Sequence, residues 1–314
     1  MGRLVVEGEK QTRGTGVIMA DIAGTVELAE NAGKTALVLE GGSFRGEFTA
    51  GVLDVLLEQG ITVDACYGVS AGILNGLNFK SRQIGRSNRV CLAYCNDPRY
   101  MGAQSLAQTG SIVGYDFILN DVQDRLDPFD NEVFCANPMR LFATVTDATF
   151  GTAAYLEVKN ATLDVDAIRA STSLPLVTQP VEIDGSLYVD GGVGDSVPVE
   201  HVLEEAGYSR VVVVLTRDRG YVKGPYEFLP AARARYGGYP YLVEALANRH
   251  DRYNEQREHI WAYERDGRAF VIAPAKPVEI GHVEHDAAKL LDLYIQGRQQ
   301  ADRHLEELKA FLAK

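Results

Sequence analysis

The stretch "TALVLEGGSFRGEFTAGVLDVLLEQGITVDACYGVSAGILNGLNF", residues 35–79, decides the fold. "TALVLE" (35–40) is an apolar, β-rich run and is expected to form a strand. "EFTAGVLDVLLEQG" (47–60) puts Phe48, Val52, Val55 and Leu56 on one helical face, and Gly60 suits the C-terminal cap. "VDACYGV" (63–69) reads as a second strand, and "AGILNGLNF" (71–79) opens a second helix. Strand, helix, strand and helix in quick succession make a βαβ unit, which implies a parallel sheet with helices on its faces.

Working outward, further strands are expected at 140–146, 153–158, 210–216 and 269–274. "VVVVL" (211–215) has no polar alternation, as a strand buried on both faces should not. Helices are expected at 163–171, 197–206, roughly 239–264 and 284–313. The fold class that follows is α/β, a three-layer α/β/α sandwich around a mainly parallel sheet, plus C-terminal helices. Three parts are expected: an N-terminal arm at 1–33, with a short helix at 21–31, an α/β/α domain at 34–275, and a helical extension at 276–314 that packs on it or forms an appendix.

The chain has 314 residues, 46% hydrophobic and 24% charged, enough for a sizeable core. A net charge of −12 disfavours nucleic acid as a partner and broad adhesion to anionic lipid, since both need a basic face. No apolar run reaches the ~18 residues of a membrane span, and "MGRLVVEGEKQTRG" (1–14) lacks the long apolar core of a secretory signal. The chain therefore reads as cytoplasmic. Cys66, Cys91, Cys95 and Cys135 read as reduced thiols, because Cys91 and Cys95 have no second pair at zinc-like spacing. No calcium-loop pattern is present either, so neither metal nor cofactor is expected.

Three short motifs carry chemistry. Gly68-Val69-Ser70-Ala71-Gly72 joins a strand to a helix. A nucleophile on such a tight turn needs small neighbours, here Gly68 and Gly72, so that strand and helix can approach, and the helix N-terminus favours developing negative charge. A plain turn of small residues has the same spelling. "LEGGSFRG" (39–46) also joins strand to helix, so both turns fall at the carboxyl ends of parallel strands and face one crevice. Its glycines leave backbone N–H groups free to face that crevice, as an oxyanion hole requires. The spacing is not that of a dinucleotide fingerprint, and the candidate ribose acid, Asp64, precedes its strand instead of following it. In "GSLYVDGGVGDSVPVE" (185–200), Asp190 ends an apolar run and enters a glycine loop, as either a crevice carboxylate or an ordinary turn aspartate would. The six histidines lie mostly in charged, helix-like segments and read as solvated surface.

Taken together and in this order, "GGSFRG" (41–46), "GVSAG" (68–72) and "DGG" (190–192) resemble the patatin-like phospholipase family. "RASTSLPLV" (169–177) and "YVDGGVGDSVP" (188–198) add to the resemblance, which covers roughly residues 35–275. It implies a serine acyl hydrolase, a lipase or phospholipase A-type esterase, working with a Ser–Asp dyad and no histidine. By this carry-over Ser70 is the nucleophile and Asp190 the general base. Gly41, Gly42 and Ser43 would form the oxyanion hole, with Arg45 and Gly46 supporting that loop. The family's third loop glycine is Ser43 here. The implied partner is a lipid or acyl ester; neither head-group preference nor oligomeric state is written in these motifs.

Three other functions compete: acyl transfer with the same dyad, a non-catalytic lipid-binding regulator, and a Ser–Asp–His hydrolase. The last usually has several strands before its nucleophile, whereas one strand-like run clearly precedes the Ser70 strand. Residues 221–263 hold seven of the fifteen tyrosines, interleaved with Arg233, Arg235, Arg249, Arg252 and Arg257. They read first as a helix surface with snorkelling arginines, and second as a lid or patch making transient contact with a membrane surface.

Overall fold

The computed structural model describes residues 30–314. The arm expected at 1–33 and its short helix at 21–31 fall almost wholly outside the described residues.

Eight strands form one sheet: β1 (Thr35–Leu39), β2 (Ala65–Val69), β3 (Arg140–Asp147), β4 (Ala153–Glu157), β5 (Val181–Ile183), β6 (Ser186–Asp190), β7 (Arg210–Val214) and β8 (Ala269–Ile272). Their order is β5-β6-β3-β2-β1-β7-β8, with β4 also on β3. The five strands β3-β2-β1-β7-β8 are parallel, and β4, β5 and β6 enter antiparallel. The described helices are α1 (Gly46–Glu58), α2 (Ala71–Lys80), α3 (Arg86–Tyr94), α4 (Ala103–Thr109), α5 (Asn131–Ala136), α6 (Val165–Ser171), α7 (Leu229–Arg235), α8 (Pro240–Arg265), α9 (Ala287–Arg303) and α10 (Leu305–Leu312). Phe117–Leu126 and His201–Glu205 are wound more widely. The single helix expected at 284–313 is two, broken at His304.

The central strands are apolar throughout because both of their faces are covered. Leu37, Leu39, Cys66, Leu141, Val212 and Val214 share a core with Phe48 and Val52 of α1, Ile73 of α2 and Leu290 of α9. Their neighbours Ala36, Val38, Tyr67, Phe142, Val211 and Val213 point the other way, into a core with Val202, Leu203 and two residues of α8, Tyr253 and Ile260. A strand's two-residue period divides one apolar run between two cores, giving the α/β/α sandwich.

The C-terminal helices pack on this sandwich instead of standing apart. A Cβ on Gly51 of α1 would sit 2.0 Å from the Tyr294 carbonyl oxygen, and one on Gly297 of α9 would sit 2.1 Å from that of Phe48. Glycine on both helices thus lets α1 and α9 touch backbone to backbone. Since α1 follows the "GGSFRG" loop directly, α9 backs the element that aims that loop.

The register of β3 positions the rest. Val145 and Thr146 pair with β4 and with β6, so those two strands lie on opposite edges of β3. By the same reasoning β2, which pairs with Arg140 to Thr144, lies on the edge opposite β4. One edge of β3 therefore carries β2 and then β6, meeting end to end where Val69 faces Thr144 and Asp190 faces Val145.

Candidate active site

That junction brings together two residues 120 positions apart in the chain. Ser70 follows Val69 at φ 54° and ψ −121°, a conformation L-residues seldom adopt, and α2 begins at the next residue. Strain of this kind costs about 1–3 kcal/mol and persists only when its surroundings enforce it. They do so here. A Cβ on Gly68 would lie 2.5 Å from the Ile73 backbone, and one on Gly72 would lie 2.3 Å from the Leu39 carbonyl oxygen. The small residues at both ends of G-x-S-x-G are what allow α2 to press onto β1 and β2.

The segment 169–177 braces both residues. The Ser70 N–H donates to Ser171 Oγ at 3.1 Å, and the Asp190 N–H donates to the Ser173 carbonyl at 2.9 Å. Asp190 is 2% exposed. Its Oδ1 accepts from the Gly192 N–H at 2.8 Å, while Oδ2 has no fully formed hydrogen bond among the described groups. Burial pushes the Asp190 carboxyl above the ordinary carboxylate range; the nearby Ser70 hydroxyl, Arg249, the Gly192 N–H and Lys223 hold it back. Ser70 and Asp190 therefore line one cavity, in a site where the carboxyl has gained proton affinity.

The glycine loop lies against the same serine. A Cβ on Gly41 would come within 2.9 Å of Ser70 Cβ. Among the described residues the backbone N–H groups of Gly41, Gly42 and Ser43 donate to no protein acceptor, as oxyanion donors must not. Ser43 sits at φ 52°, where glycine would be unstrained, and its Oγ donates to the His282 carbonyl at 2.5 Å. The β-carbon that departs from the family pattern thus ties the loop to the C-terminal region. Arg45 is buried, with Nη1 donating to the Ile280 carbonyl at 3.2 Å. Gly46 lets α1 meet α2, since a Cβ there would be 3.1 Å from that of Ala71.

Two cavities meet at Ser70. One, of about 150 Å³, is apolar, lined by Phe44, Leu74, Val90, Met101, Ile118 and Leu119. The other, of about 110 Å³, is polar and contains Asp190, Glu40, Arg45, Arg217, Lys223 and Arg249. Ser43, Ser70 and Leu174 line both.

Sequence reasoning missed the part played by α8. Arg249, Arg252 and Arg257 are not a snorkelling surface set. Arg249 Nε donates to the Gly192 carbonyl, and Arg252 Nη1 to that of Gly194 at 2.8 Å. Arg257 is 2% exposed and donates to the Asp218 carbonyl at 2.6 Å. They turn inward because the D-G-G loop and its neighbours present carbonyls with no strand partner. Arg233 and Arg235, on α7, are exposed.

His201, stacked on Tyr155 with ring centres 3.5 Å apart, is half-buried, whereas His282 is exposed. His282 is nonetheless among the residues that line the polar cavity. It makes no hydrogen bond with Ser70 or Asp190 among the described residues, and burial plus the nearby cations push its pKa down to about 4, so it is uncharged at neutral pH. Among the described residues no group of three or more His, Cys, Asp or Glu could hold a metal ion, and no helix is long and apolar enough to cross a membrane.

A profile for patatin-like phospholipases matches residues 37–203, more than half of the chain, and takes in both Ser70 and Asp190. The chain belongs to the patatin-like phospholipase family. A second profile, a domain of unknown function (DUF6363), matches residues 239–313. Escherichia coli YjjU is 28% identical over 187 residues, 58% of this chain and 52% of YjjU. An NTE family protein of Mycobacterium tuberculosis is 29% identical over 200 residues, 61% of this chain and 51% of its own. Lysophospholipase NTE1 of Saccharomyces cerevisiae is 30% identical over 172 residues, 52% of this chain and 10% of the yeast protein. The chain thus spans about half the length of the bacterial relatives and a tenth of the yeast one. Among solved structures, VipD from Legionella pneumophila overlays with a TM-score of 0.44 at 14% identity, covering 87% of this chain and 67% of VipD.

Proposed function

We propose that this patatin-like protein is a serine acyl hydrolase acting on lipid esters. The observation that carries the reading is that a strained, elbow-borne Ser70 and a buried Asp190 carboxyl of raised proton affinity line one cavity, beside a loop of free N–H groups.

The chemistry follows from that geometry. Ser70 Oγ attacks the ester carbonyl carbon as Asp190 Oδ2 takes its proton. A carboxylate at its ordinary pKa is a poor base for a hydroxyl, and burial narrows the gap. The carbonyl oxygen becomes an alkoxide facing the N–H groups of Gly41, Gly42 and Ser43, each such donor being worth about 3 kcal/mol of barrier. Collapse of the intermediate expels the alcohol, which takes the proton from Asp190 and leaves an acyl-serine. Water, deprotonated by the same carboxylate, then attacks the acyl carbon, and as the acyl–Oγ bond breaks Asp190 returns the proton to Ser70 and the acid leaves. The apolar cavity, which opens on Ser70, receives the acyl chain. The NTE1 relatives are named lysophospholipases, and a single-chain lipid ester suits one apolar cavity.

The test is hydrolysis of p-nitrophenyl esters and of 1-acyl lipids by the purified chain. Ser70→Ala and Asp190→Asn should each lower kcat by on the order of 1,000-fold or more while circular dichroism stays native. Activity retained in either variant removes that residue from its role. A fluorophosphonate should label Ser70 in the wild type; failure to do so would favour a non-catalytic lipid binder.

A further inference from the structure

The mechanism leaves one buried titratable group of the apolar cavity without a task. Glu47 stands in the first turn of α1, directly after the glycine loop, and is among the residues that line this cavity. It is 5% exposed, and its Oε2 is sealed from solvent with no hydrogen-bond partner among the described residues. The neighbour that favours its charge is the thiol of Cys91 on α3, a weak donor. Among the described residues no lysine or arginine pairs with it.

Other polar side chains of the same wall are provided for. Asn75 Nδ2 donates to the Gly46 carbonyl at 3.0 Å. Asn78 Nδ2 donates to Ser87 Oγ at 2.7 Å, and Asn78 Oδ1 accepts from Arg86 Nη1 at 2.9 Å. Arg86 Nη2 in turn donates to the Asp127 carbonyl at 2.7 Å. Glu47 is the exception. Burial, with Asp54 adding to it and Cys91 opposing, pushes its carboxyl up to about 7. Near neutral pH it is therefore divided between its two forms. A carboxyl set in an apolar wall without a donor is destabilising. A leucine there would line a hydrocarbon pocket at less cost, so a pocket for a plain alkyl chain gives no reason for this side chain.

We propose that Glu47 is a specificity-determining residue of the acyl pocket and that the acyl chain this enzyme takes carries a hydroxyl group. The inference rests on the acyl hydrolase reading above, which seats the acyl chain in this cavity. A hydroxyl both donates and accepts, so it suits the carboxyl in either protonation state. The terminal torsion of a glutamate is soft, so either oxygen can turn to meet the chain. An ammonium group on the chain matches less well. It would shed its hydration among apolar walls to reach a carboxyl whose surroundings already disfavour charge.

The experiment compares kcat/KM for 1-decanoyl-glycerol and for its monohydroxy isomers, with the hydroxyl on each chain carbon from 2 to 10 in turn, all below micelle-forming concentrations at pH 7. In the wild type one isomer, or two adjacent ones, should exceed the unsubstituted ester by about tenfold, the worth of one hydrogen bond to a charged group. Glu47→Leu should abolish that preference and raise kcat/KM for the unsubstituted ester severalfold, whereas Glu47→Gln, which keeps an acceptor, should still favour the same isomer. The ratio of the two esters is unmoved by a general loss of folded or active protein, so it reports the pocket alone. A wild type that favours no hydroxylated isomer overturns the proposal, and so does a preference that survives Glu47→Leu. Calorimetric binding of decanoic acid and of the hydroxydecanoic acids separates this from failure of the hydrolase reading. If no ester is cleaved, the hydrolase reading falls. In that case tighter binding of one hydroxy acid that is lost in Glu47→Leu upholds the role of Glu47, and equal or absent binding of the acids overturns it.

Discussion

The two cavities that meet at Ser70 are built by opposite means. The apolar one is walled mainly by residues between the glycine loop and Leu174, within a single stretch of chain. The polar one is assembled from β1, the elbow, the D-G-G loop, the segment after β7, α8 and the approach to α9. The first depends on shape and hydration, and tolerates exchange of one apolar side chain for another. The second depends on charges at fixed positions, so one lost anchor changes both geometry and field. Substitutions in the two walls should therefore fail differently.

The largest expected effect beyond the dyad is in the polar wall. Arg249 both holds the Gly192 carbonyl and keeps the Asp190 carboxyl from rising further. Arg249→Gln should lower kcat by about 100-fold, within the range of general-base catalysis. It should also move the acid limb of the kcat/KM–pH profile upward, because Asp190 then holds its proton to higher pH. Arg249→Lys should return the limb toward its original position. A fall in activity with no movement of the limb would make Arg249 a purely structural anchor.

In the apolar wall the effect should be smaller and confined to chain length. Leu74 is half-buried on α2 and faces the cavity. Leu74→Trp should lower the ratio of p-nitrophenyl palmitate to p-nitrophenyl butyrate hydrolysis by about tenfold, the worth of a few methylene groups denied burial. An unchanged ratio would mean that the chain lies elsewhere.

Legibility divides along the same line. The elbow was legible because it is a local constraint: Gly68 and Gly72 are required by backbones within 2.5 Å of where a side chain would begin, whereas Asp190 stayed open between crevice and turn until the resemblance was drawn. The parallel strands were readable because a sheet covered on both faces has no polar alternation to hide it. What escaped was long-range. Nothing around Lys223 in "GYVKGPYEF" (220–228) announces that Tyr253 and Arg249 will sit beside it, and His282 is an ordinary loop residue until α9 folds back on α1. The helices α3, α4 and α5 escaped for another reason. Only Arg86, Val90 and Cys91 of α3, Ser105 of α4 and Phe134 of α5 are buried, too few to show a helical period.

A smaller effect comes from Lys223. Burial first, then Arg249, with Arg45 and Arg217, pushes its pKa down to about 7 from the ordinary 10.5, and Glu40 opposes them. Between those values the unfolded chain carries a proton that the folded chain has released. This residue's contribution to stability therefore rises with pH across the window from about 7 to 10.5. Lys223→Gln should flatten the stability slope relative to wild type. Parallel trends in wild type and variant would show that the lysine does not titrate there.

The smallest effect is the most informative about mechanism, because it concerns the residue that a conventional triad would need. His282 lines the polar cavity, but it hydrogen-bonds neither Ser70 nor Asp190 among the described residues, and its pKa of about 4 leaves it uncharged. What links it to the site is its backbone, which accepts from Ser43 Oγ, and a substitution keeps that carbonyl. His282→Gln should therefore change kcat by less than about threefold, whereas loss of a catalytic base costs 100-fold or more. Ser43→Ala, which removes the tether, should do more harm than His282→Gln. Hydrolysis measured side by side for the two variants separates the roles: a collapse in His282→Gln with Ser43→Ala near wild type would make the imidazole the base and leave Asp190 to orient it.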